Sequence, residues 1–157
     1  MRTFVAALVL LALTSVASAG IVARVDVSKQ VMTVSENGRV IYSWRVSTAR
    51  KGYRTPRGTF SVKRMHRMWY SRKYDNSPMP HSIFFSGGYA IHGTNYVKSL
   101  GRPASHGCVR LAPSHARALY NLVRAHGPRN TRIVLQNCRA KTFVLMTQTK
   151  ASSPLSP

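Results

Sequence analysis

Short runs of β-branched and aromatic residues, each bounded by turn residues, fill most of the chain after residue 20 and favour a fold built mainly of strands. In Arg39–Ser47, apolar side chains recur at every second position, which is the period of a half-buried strand. The Asn37-Gly38 pair just before this run favours the tight turn of a β-hairpin with Val31–Ser35. The other predicted strands are Ile21–Val27, Thr59–Arg64, Ser82–Phe85, Tyr89–His92 and Thr131–Gln136.

One helix and one long loop complete the predicted domain. Ser114–His126 places its apolar residues at the three- and four-residue spacing of one helix face, and Gly127-Pro128 ends it. The segment His66–Pro80 is rich in Arg, Tyr, Pro and Asn, which predicts a long surface loop. We therefore expect a single mostly-β domain with one helix.

The first nineteen residues have the pattern of a signal peptide: a basic start, an apolar run over Val5–Leu13 and the small residues Ala17-Ser18-Ala19. The protein is therefore expected to be exported, to the periplasm or cell wall, where the environment is oxidising. The predicted organisation is a signal peptide over residues 1–19, a folded domain over 20–137 and a tail over 138–157. Within that tail Phe143–Met146 would add an edge strand, and the Ser/Pro-rich Ala151–Pro157 would be disordered.

Positive charge outweighs negative charge heavily. The 157 residues include 24 Lys and Arg against 3 acidic residues, which gives a formal net charge of +21. So few carboxylates argue against an aspartic-protease dyad, a two-carboxylate glycosidase site and a calcium cage. In an exported protein the matching partners are peptidoglycan carboxylates, anionic wall polymers or an anionic membrane surface. Nucleic acid fits the charge but not the compartment.

The residues that carry chemistry are concentrated around Cys108. His106 is two positions away and shares its face on an extended segment, whereas His92 lies on a separate predicted strand. A cysteine becomes a good nucleophile beside a base or cation, and backbone N–H groups at Gly107 and Cys108 can face an oxyanion. Two other interpretations stay open: a structural disulfide between Cys108 and Cys138, and a zinc site formed by His92, His106 and Cys108.

The motif His92-Gly93, followed by Ser105-His106-Gly107-Cys108-Val109-Arg110-Leu111, resembles the signature of the L,D-transpeptidase catalytic domain, also called the YkuD domain. Further similarity lies in the opening strand pair, in Thr55-Pro56-Arg57-Gly58, and in the helix after the cysteine. The resemblance covers roughly residues 21 to 136. It implies a β-sandwich whose cysteine lies in a cleft under a lid, with one helix after the cysteine loop.

This resemblance also implies roles for individual residues. Cys108 would be the nucleophile and His92 the general acid and base, with the Gly93 carbonyl orienting the His92 ring. His106 would line the site, and the Gly107 and Cys108 amides would form the oxyanion hole. Four further residues would contact substrate: Ser105, Arg110, and the lid aromatics Trp69 and Tyr70. No metal and no cofactor are implied.

The activity that the resemblance implies is peptidoglycan cross-linking. The enzyme would cleave a stem tetrapeptide before its terminal D-Ala, hold the stem as a cysteine thioester and transfer it to the amine of a second stem, giving a 3→3 cross-link. Carbapenem β-lactams would acylate the same cysteine. The alternatives are L,D-carboxypeptidase activity, D-amino-acid exchange or tethering of a protein to peptidoglycan by the same chemistry, and a non-catalytic basic wall-binding protein.

Overall fold

The alternating runs of the sequence form two β-sheets in the computed structural model, which describes residues 20–137. The described strands are β1 Ile21–Asp26, β2 Val31–Glu36, β3 Arg39–Arg45, β4 Gly58–Ser61, β5 Arg64–Ser71, β6 Ser77–Ser86, β7 Tyr89–Gly93, β8 Val109–Leu111 and β9 Thr131–Gln136. The α-helix within this part of the chain is α1, Pro113–His126. Short 3-10 turns lie at Arg72–Tyr74, Val97–Ser99 and Pro128–Asn130.

The first sheet has the strand order β3-β2-β1-β9-β4. Strands β1 and β9 are parallel, and the other neighbours are antiparallel. The predicted hairpin of β2 and β3 is present, with Glu36 opposite Arg39 and positive φ angles at Asn37 (49°) and Gly38 (84°). Two positive φ angles are what a type I′ turn requires, so the Asn-Gly pair determines this connection.

The second sheet has the order β5-β6-β7-β8 and corrects the prediction of a loop over His66–Pro80. That segment belongs largely to a long antiparallel hairpin, in which Met68 pairs with Pro80 and Ser71 with Ser77. The sequence pattern did not predict β6 as a strand over its full length because it contains prolines, which cannot donate a hydrogen bond to a neighbouring strand. It did not predict β5 because the residues of this strand are largely exposed and alternate poorly. The hairpin turns after the 3-10 segment, where Asp75 and Asn76 have φ angles of 48° and 49°.

Both sheets and α1 contribute to one hydrophobic core. The helix buries Ala116, Leu119, Tyr120 and Val123, the residues that the sequence places on one face. Burying a large aliphatic or aromatic side chain stabilises the fold by roughly 1.5–3 kcal/mol. The core residues from the strands include Ile21, Val25, Met32, Val34, Ile83, Phe85, Ile91, Val109, Leu111, Ile133 and Leu135.

Within residues 20–137, no helix is both long and apolar enough to cross a membrane. The predicted signal peptide, Cys138, the strand Phe143–Met146 and the tail Ala151–Pro157 lie outside the described residues.

Candidate active site

The pairing of β7 with β8 brings Cys108 and His92 to one face of the second sheet. These strands are parallel, with Ile91 opposite Val109 and His92 opposite Arg110. Because alternate side chains point to opposite faces, Ile91 and Val109 enter the core while His92 and Arg110 face the other way. Cys108 immediately precedes β8 and shares the face of Arg110.

His92 is buried, with 6% of its surface exposed, and its ring is anchored. Nδ1 lies 2.7 Å from the Gly93 carbonyl oxygen, which can only accept a hydrogen bond. The proton of the neutral ring is therefore on Nδ1, and Nε2 is left as the proton acceptor. Burial lowers the pKa of His92 to about 4, because the charged imidazolium would lose its contact with water. The hydrogen bond to Gly93 opposes this lowering only in part, and the positive charge of Arg110 lowers the pKa further. His92 is thus a neutral base at pH 7.

The backbone of Gly93 is closely packed by neighbouring elements. A Cβ at this position would lie 3.1 Å from Pro80 Cγ and 3.3 Å from both Ala116 Cβ and Pro113 Cα. The start of α1 and the hairpin strand β6 therefore fix the backbone whose carbonyl holds His92.

Cys108 carries a free thiol that is partly buried against Met79, Phe84 and Ala90. Its sulfur lies 3.9 Å from the Gly88 carbonyl oxygen, to which the thiol donates. Burial raises the pKa of the Cys108 thiol, and the Ala90 backbone N–H and the Arg110 charge only partly offset this effect. The resting pair is therefore a neutral thiol and a neutral imidazole.

The loop before Cys108 is held by one buried hydroxyl. Ser105 Oγ accepts a hydrogen bond from the Gly107 N–H at 3.0 Å and donates to the Cys108 carbonyl at 2.6 Å. Ser105 also lines the cleft, and its contact with substrate stays a prediction. The Gly107 N–H of the predicted oxyanion pair is engaged in this conformation, whereas we find no intramolecular acceptor for the Cys108 N–H among residues 20–137.

Gly107 itself is required by the local geometry. Its φ is +130°, and a Cβ there would lie 2.4 Å from Tyr89 Cε1 and 2.8 Å from the Arg54 carbonyl oxygen. Only glycine fits at this point of the chain without moving the backbone.

His106 packs against the tip of the β5–β6 hairpin, which is the predicted lid. Its imidazole stacks on Tyr74 at 4.3 Å with an interplanar angle of 10° and meets the edge of Tyr53 at 4.6 Å. Tyr74 ends the 3-10 turn at the tip of the β5–β6 hairpin, so this stack joins the lid to the cysteine loop. No group of three His, Cys, Asp or Glu side chains in the described chain is placed to hold a metal ion, which argues against the zinc alternative.

A cleft of about 540 Å³ opens above Cys108 and His92. Met79 and Phe84 line it, and the hairpin and the segment Thr94–Tyr96 form further parts of its wall. Its charged lining residues are all cationic: Arg64, Arg72, Lys73 and Arg110. Such a lining favours an anionic substrate.

Two predicted lid aromatics occupy different places. Trp69 lines the cleft and packs against His66 and Phe84, at ring distances of 4.8 and 5.6 Å. Tyr70 is 54% exposed and does not line the cleft, because neighbouring residues of β5 face opposite sides.

Arg110 lies at the cleft as predicted, and its guanidinium also donates to the Ala104 carbonyl at 3.2 Å. The sequence analysis did not identify Arg64, Arg72, Lys73 and Tyr96 as lining residues. Arg72 lies in the segment His66–Pro80, whose abundance of Arg was the available signal, whereas Arg64 lies before that segment.

The sequence of this chain is similar to those of known proteins. The sequence model of the YkuD L,D-transpeptidase catalytic domain matches residues 20–143. A Bacillus subtilis (strain 168) protein provisionally named L,D-transpeptidase YkuD is 26% identical over 115 residues, which cover 71% of this chain and 63% of that protein.

Solved structures show the same fold. An L,D-transpeptidase from Xylanimonas cellulosilytica DSM 15894 matches with a TM-score of 0.63 and 31% identity, over 78% of this chain and 63% of that one. One from Mycobacterium smegmatis matches with a TM-score of 0.67 and 25% identity, over 75% and 59% of the two chains. This chain thus spans less than two thirds of the length of these relatives. The predicted fold class and family are confirmed: this chain belongs to the family of YkuD L,D-transpeptidase catalytic domains.

Proposed function

We propose that this protein is an exported peptidoglycan L,D-transpeptidase in which Cys108 is the nucleophile and His92 is the general base, and that it forms 3→3 cross-links. The observation that carries the proposal is the anchored His92 ring. His92 Nδ1 donates a hydrogen bond to the Gly93 carbonyl oxygen, with 2.7 Å between the two atoms. Nε2 is therefore free to accept the proton of a thiol in the same cleft. In a Ser-His-Asp triad an aspartate performs the same orienting task.

In the first half-reaction, the Cys108 sulfur attacks the carbonyl carbon before the terminal D-Ala of a stem tetrapeptide, and its proton moves to His92 Nε2. The resulting oxyanion is stabilised by backbone N–H groups of the cysteine loop. As the intermediate collapses, the carbon–nitrogen bond breaks and His92 returns the proton to the leaving amine. D-Ala departs, and the stem remains as a Cys108 thioester.

In the second half-reaction, the side-chain amine of another stem attacks the thioester carbonyl, and His92 removes a proton from that amine. The carbon–sulfur bond breaks, the proton returns to the Cys108 sulfur, and an amide joins the two stems. The free enzyme is regenerated without any cofactor.

The charge of the cleft supports a peptide substrate that carries carboxylates. Arg64, Arg72, Lys73 and Arg110 line the cleft, and all three acidic side chains of the protein lie outside the lining. Arg64 is also positioned by aromatic rings, with its guanidinium carbon 4.1 Å from the centroid of Phe84 and 5.4 Å from that of Trp69. A preorganised guanidinium of this kind can bind a carboxylate through two hydrogen bonds.

Covalent capture tests the site assignment. The L,D-transpeptidase LdtMt1, which has the same fold at 21% identity and a TM-score of 0.66, has been solved in complex with imipenem. We expect intact-mass analysis of this protein with imipenem to show one adduct, which Cys108→Ala abolishes and Cys138→Ala retains. The Cys138 variant is the matched control for a thiol, and an adduct that follows Cys138 would overturn the assignment.

The same assay separates the two histidines. Loss of a positioned general base typically slows a reaction by about 10²–10⁴. We expect a loss of this size in the single-turnover acylation rate of His92→Ala, and a smaller loss in His106→Ala, whose ring packs between two tyrosines. The opposite order would reverse the roles.

The acceptor is tested with the natural donor. Incubation with a purified disaccharide-tetrapeptide and analysis of product masses distinguishes a cross-linked dimer from the alternatives. Hydrolysis gives the tripeptide, exchange gives a tetrapeptide with a different D-amino acid, and tethering requires a protein lysine. Accumulation of tripeptide alone would replace the proposed cross-linking by L,D-carboxypeptidase activity, and the absence of any turnover would favour a wall-binding protein.

A further inference from the structure

A second concave site lies outside the catalytic cleft and shares no lining residue with it. It is a surface depression of about 420 Å³, which we name the cationic basin. Val31 and Leu100 form its apolar part, and four cationic side chains surround them: Lys29, Arg45, Lys98 and Arg102. All four are exposed.

The backbone beneath these side chains is held by hydrogen bonds between distant segments. Val31 pairs with Arg45 across β2 and β3. The Gly101 N–H donates to the Val46 carbonyl at 2.8 Å, and Ser47 Oγ donates to the Arg102 carbonyl at 2.8 Å. The basin is therefore a fixed feature of the fold, formed by three segments that are separate in sequence.

Within residues 20–137, none of the three acidic side chains lines the basin beside its four cations. Asp26 is the nearest along the chain, and its Oδ1 accepts hydrogen bonds from the backbone N–H groups of Ser28 and Lys29. Glu36 pairs with His126, and Asp75 lies at the hairpin tip. Four like charges at one depression repel one another, and a bound anion would relieve that repulsion.

We propose that the cationic basin binds a ligand that carries two or more phosphate groups. A single carboxylate would neutralise only one of four charges, whereas a phosphate monoester carries about −1.5 to −2 at pH 7 and offers three acceptor oxygens. At about 420 Å³ the basin is far larger than a site for one water molecule, so a polyatomic anion fits into it. The ligand can be a soluble phosphate polymer or the headgroups of an anionic membrane.

The position of the basin gives such binding a consequence for the cleft. Thr94, Asn95 and Tyr96 line the cleft, and Lys98 and Arg102 line the basin, so one short segment separates the two sites. A phosphate polymer or membrane held in the basin would keep the enzyme at an anionic surface with its cleft alongside. The binding proposal itself does not depend on the chemistry of the cleft.

The test compares two variants of equal charge by calorimetric titration at constant salt. The basin variant carries Lys29→Gln, Arg45→Gln, Lys98→Gln and Arg102→Gln. The control variant removes four positive charges that are exposed but outside both sites: Arg39→Gln, Lys63→Gln, Arg124→Gln and Arg129→Gln. Thermal unfolding of both variants verifies that they are folded. The probes are tripolyphosphate, citrate as a carboxylate of similar charge, and vesicles of phosphatidylglycerol and phosphatidylcholine.

We expect the basin variant to bind tripolyphosphate at least tenfold more weakly than the unmodified protein, the control variant to lose less than twofold, and citrate to bind more weakly than tripolyphosphate. Vesicle binding that is lost only in the basin variant would identify a lipid headgroup as the source of phosphate. Equal vesicle binding by the two variants, with the tripolyphosphate difference preserved, would identify a soluble polymer. If both variants lose tripolyphosphate binding equally, net charge alone is responsible and the proposal is wrong. If citrate binds to the unmodified protein as tightly as tripolyphosphate does, the proposed class of ligand is wrong, and the proposal is overturned as well.

Discussion

Acid should destabilise this protein through His92 in particular. Folding moves the pKa of this buried ring from 6.5 to about 4. Between these two values the unfolded chain binds a proton that the folded chain does not bind. The free energy of unfolding therefore rises with pH across this range, so that the contribution of His92 is complete above about pH 6.5 and is lost as the pH falls toward 4.

The size of this effect follows from the same two values. A shift from 6.5 to about 4 is about 2.5 pKa units, and each unit corresponds to 1.36 kcal/mol, which gives about 3 kcal/mol. Domains of this size are stable by only about 5–15 kcal/mol, so a loss of this magnitude is readily measured.

Urea unfolding of the protein at several pH values between 4 and 7.5 provides the assay, with His92→Asn as the reference. The Asn amide can donate to the Gly93 carbonyl in place of Nδ1, but it does not titrate. Because the remaining titratable groups are common to both proteins, their contributions cancel in the difference. We expect the unmodified protein to lose about 3 kcal/mol more than His92→Asn between pH 7.5 and 4.

His106→Asn serves as the control for removal of a histidine from the same region. Burial and nearby cations lower the pKa of His106 as well, but its ring is only partly buried, so this variant should follow the unmodified protein closely. If the unmodified protein and His92→Asn lose stability in parallel, His92 is not a buried neutral base and the resting state inferred for the pair is wrong.

Two further predictions concern the loop and the lid. In Gly107→Ala the backbone φ of +130° is unfavourable for alanine, and the added methyl group would lie 2.4 Å from an aromatic ring. We expect this variant to lower the free energy of unfolding by at least about 3 kcal/mol. Gly88→Ala is the control, because nothing lies within 4 Å of its added carbon, and equal stability of the two variants in denaturant unfolding would contradict the steric argument. Tyr74→Ala removes the stack on His106, which is worth about 0.5–1.5 kcal/mol, so we expect amide hydrogen exchange at the hairpin tip to become about two- to tenfold faster. Tyr74→Phe keeps the ring and should exchange like the unmodified protein, and similar exchange in both variants would show that the stack does not hold the lid.

Local patterns along the chain were sufficient for much of the fold. The strand in Arg39–Ser47, the Asn37-Gly38 turn and the apolar face of Ser114–His126 correspond to observed elements, because each depends on residues close in sequence. The predicted half-burial of that strand holds only near its end, since Val40 and Tyr42 are exposed whereas Trp44 and Val46 are buried. The motif around Cys108 and His92 likewise indicated the family, because a motif is defined by residue types and their order along the chain.

Other features depend on contacts between distant segments and were not evident from any local pattern. His66–Pro80 was predicted to be a loop, but pairing with a second strand compensates for its prolines and weak alternation, and so it forms most of a hairpin. The hydrogen bonds of the Ser105 hydroxyl to the backbone of its own loop likewise became visible only in the structure.

The amino-acid sequence by itself determined which residue types could perform the chemistry, how strongly basic the chain is and where most strands and the helix lie. Only the tertiary structure decided that His92 is a neutral base, because the lowered pKa of its imidazole comes from burial beneath other elements. Only the tertiary structure also decided where the positive charge gathers. Lys29, Arg45 and Lys98 are separated along the chain, and strand pairing and loop anchoring place them around one basin, since electrostatic interaction depends on distance in space and not on separation in sequence.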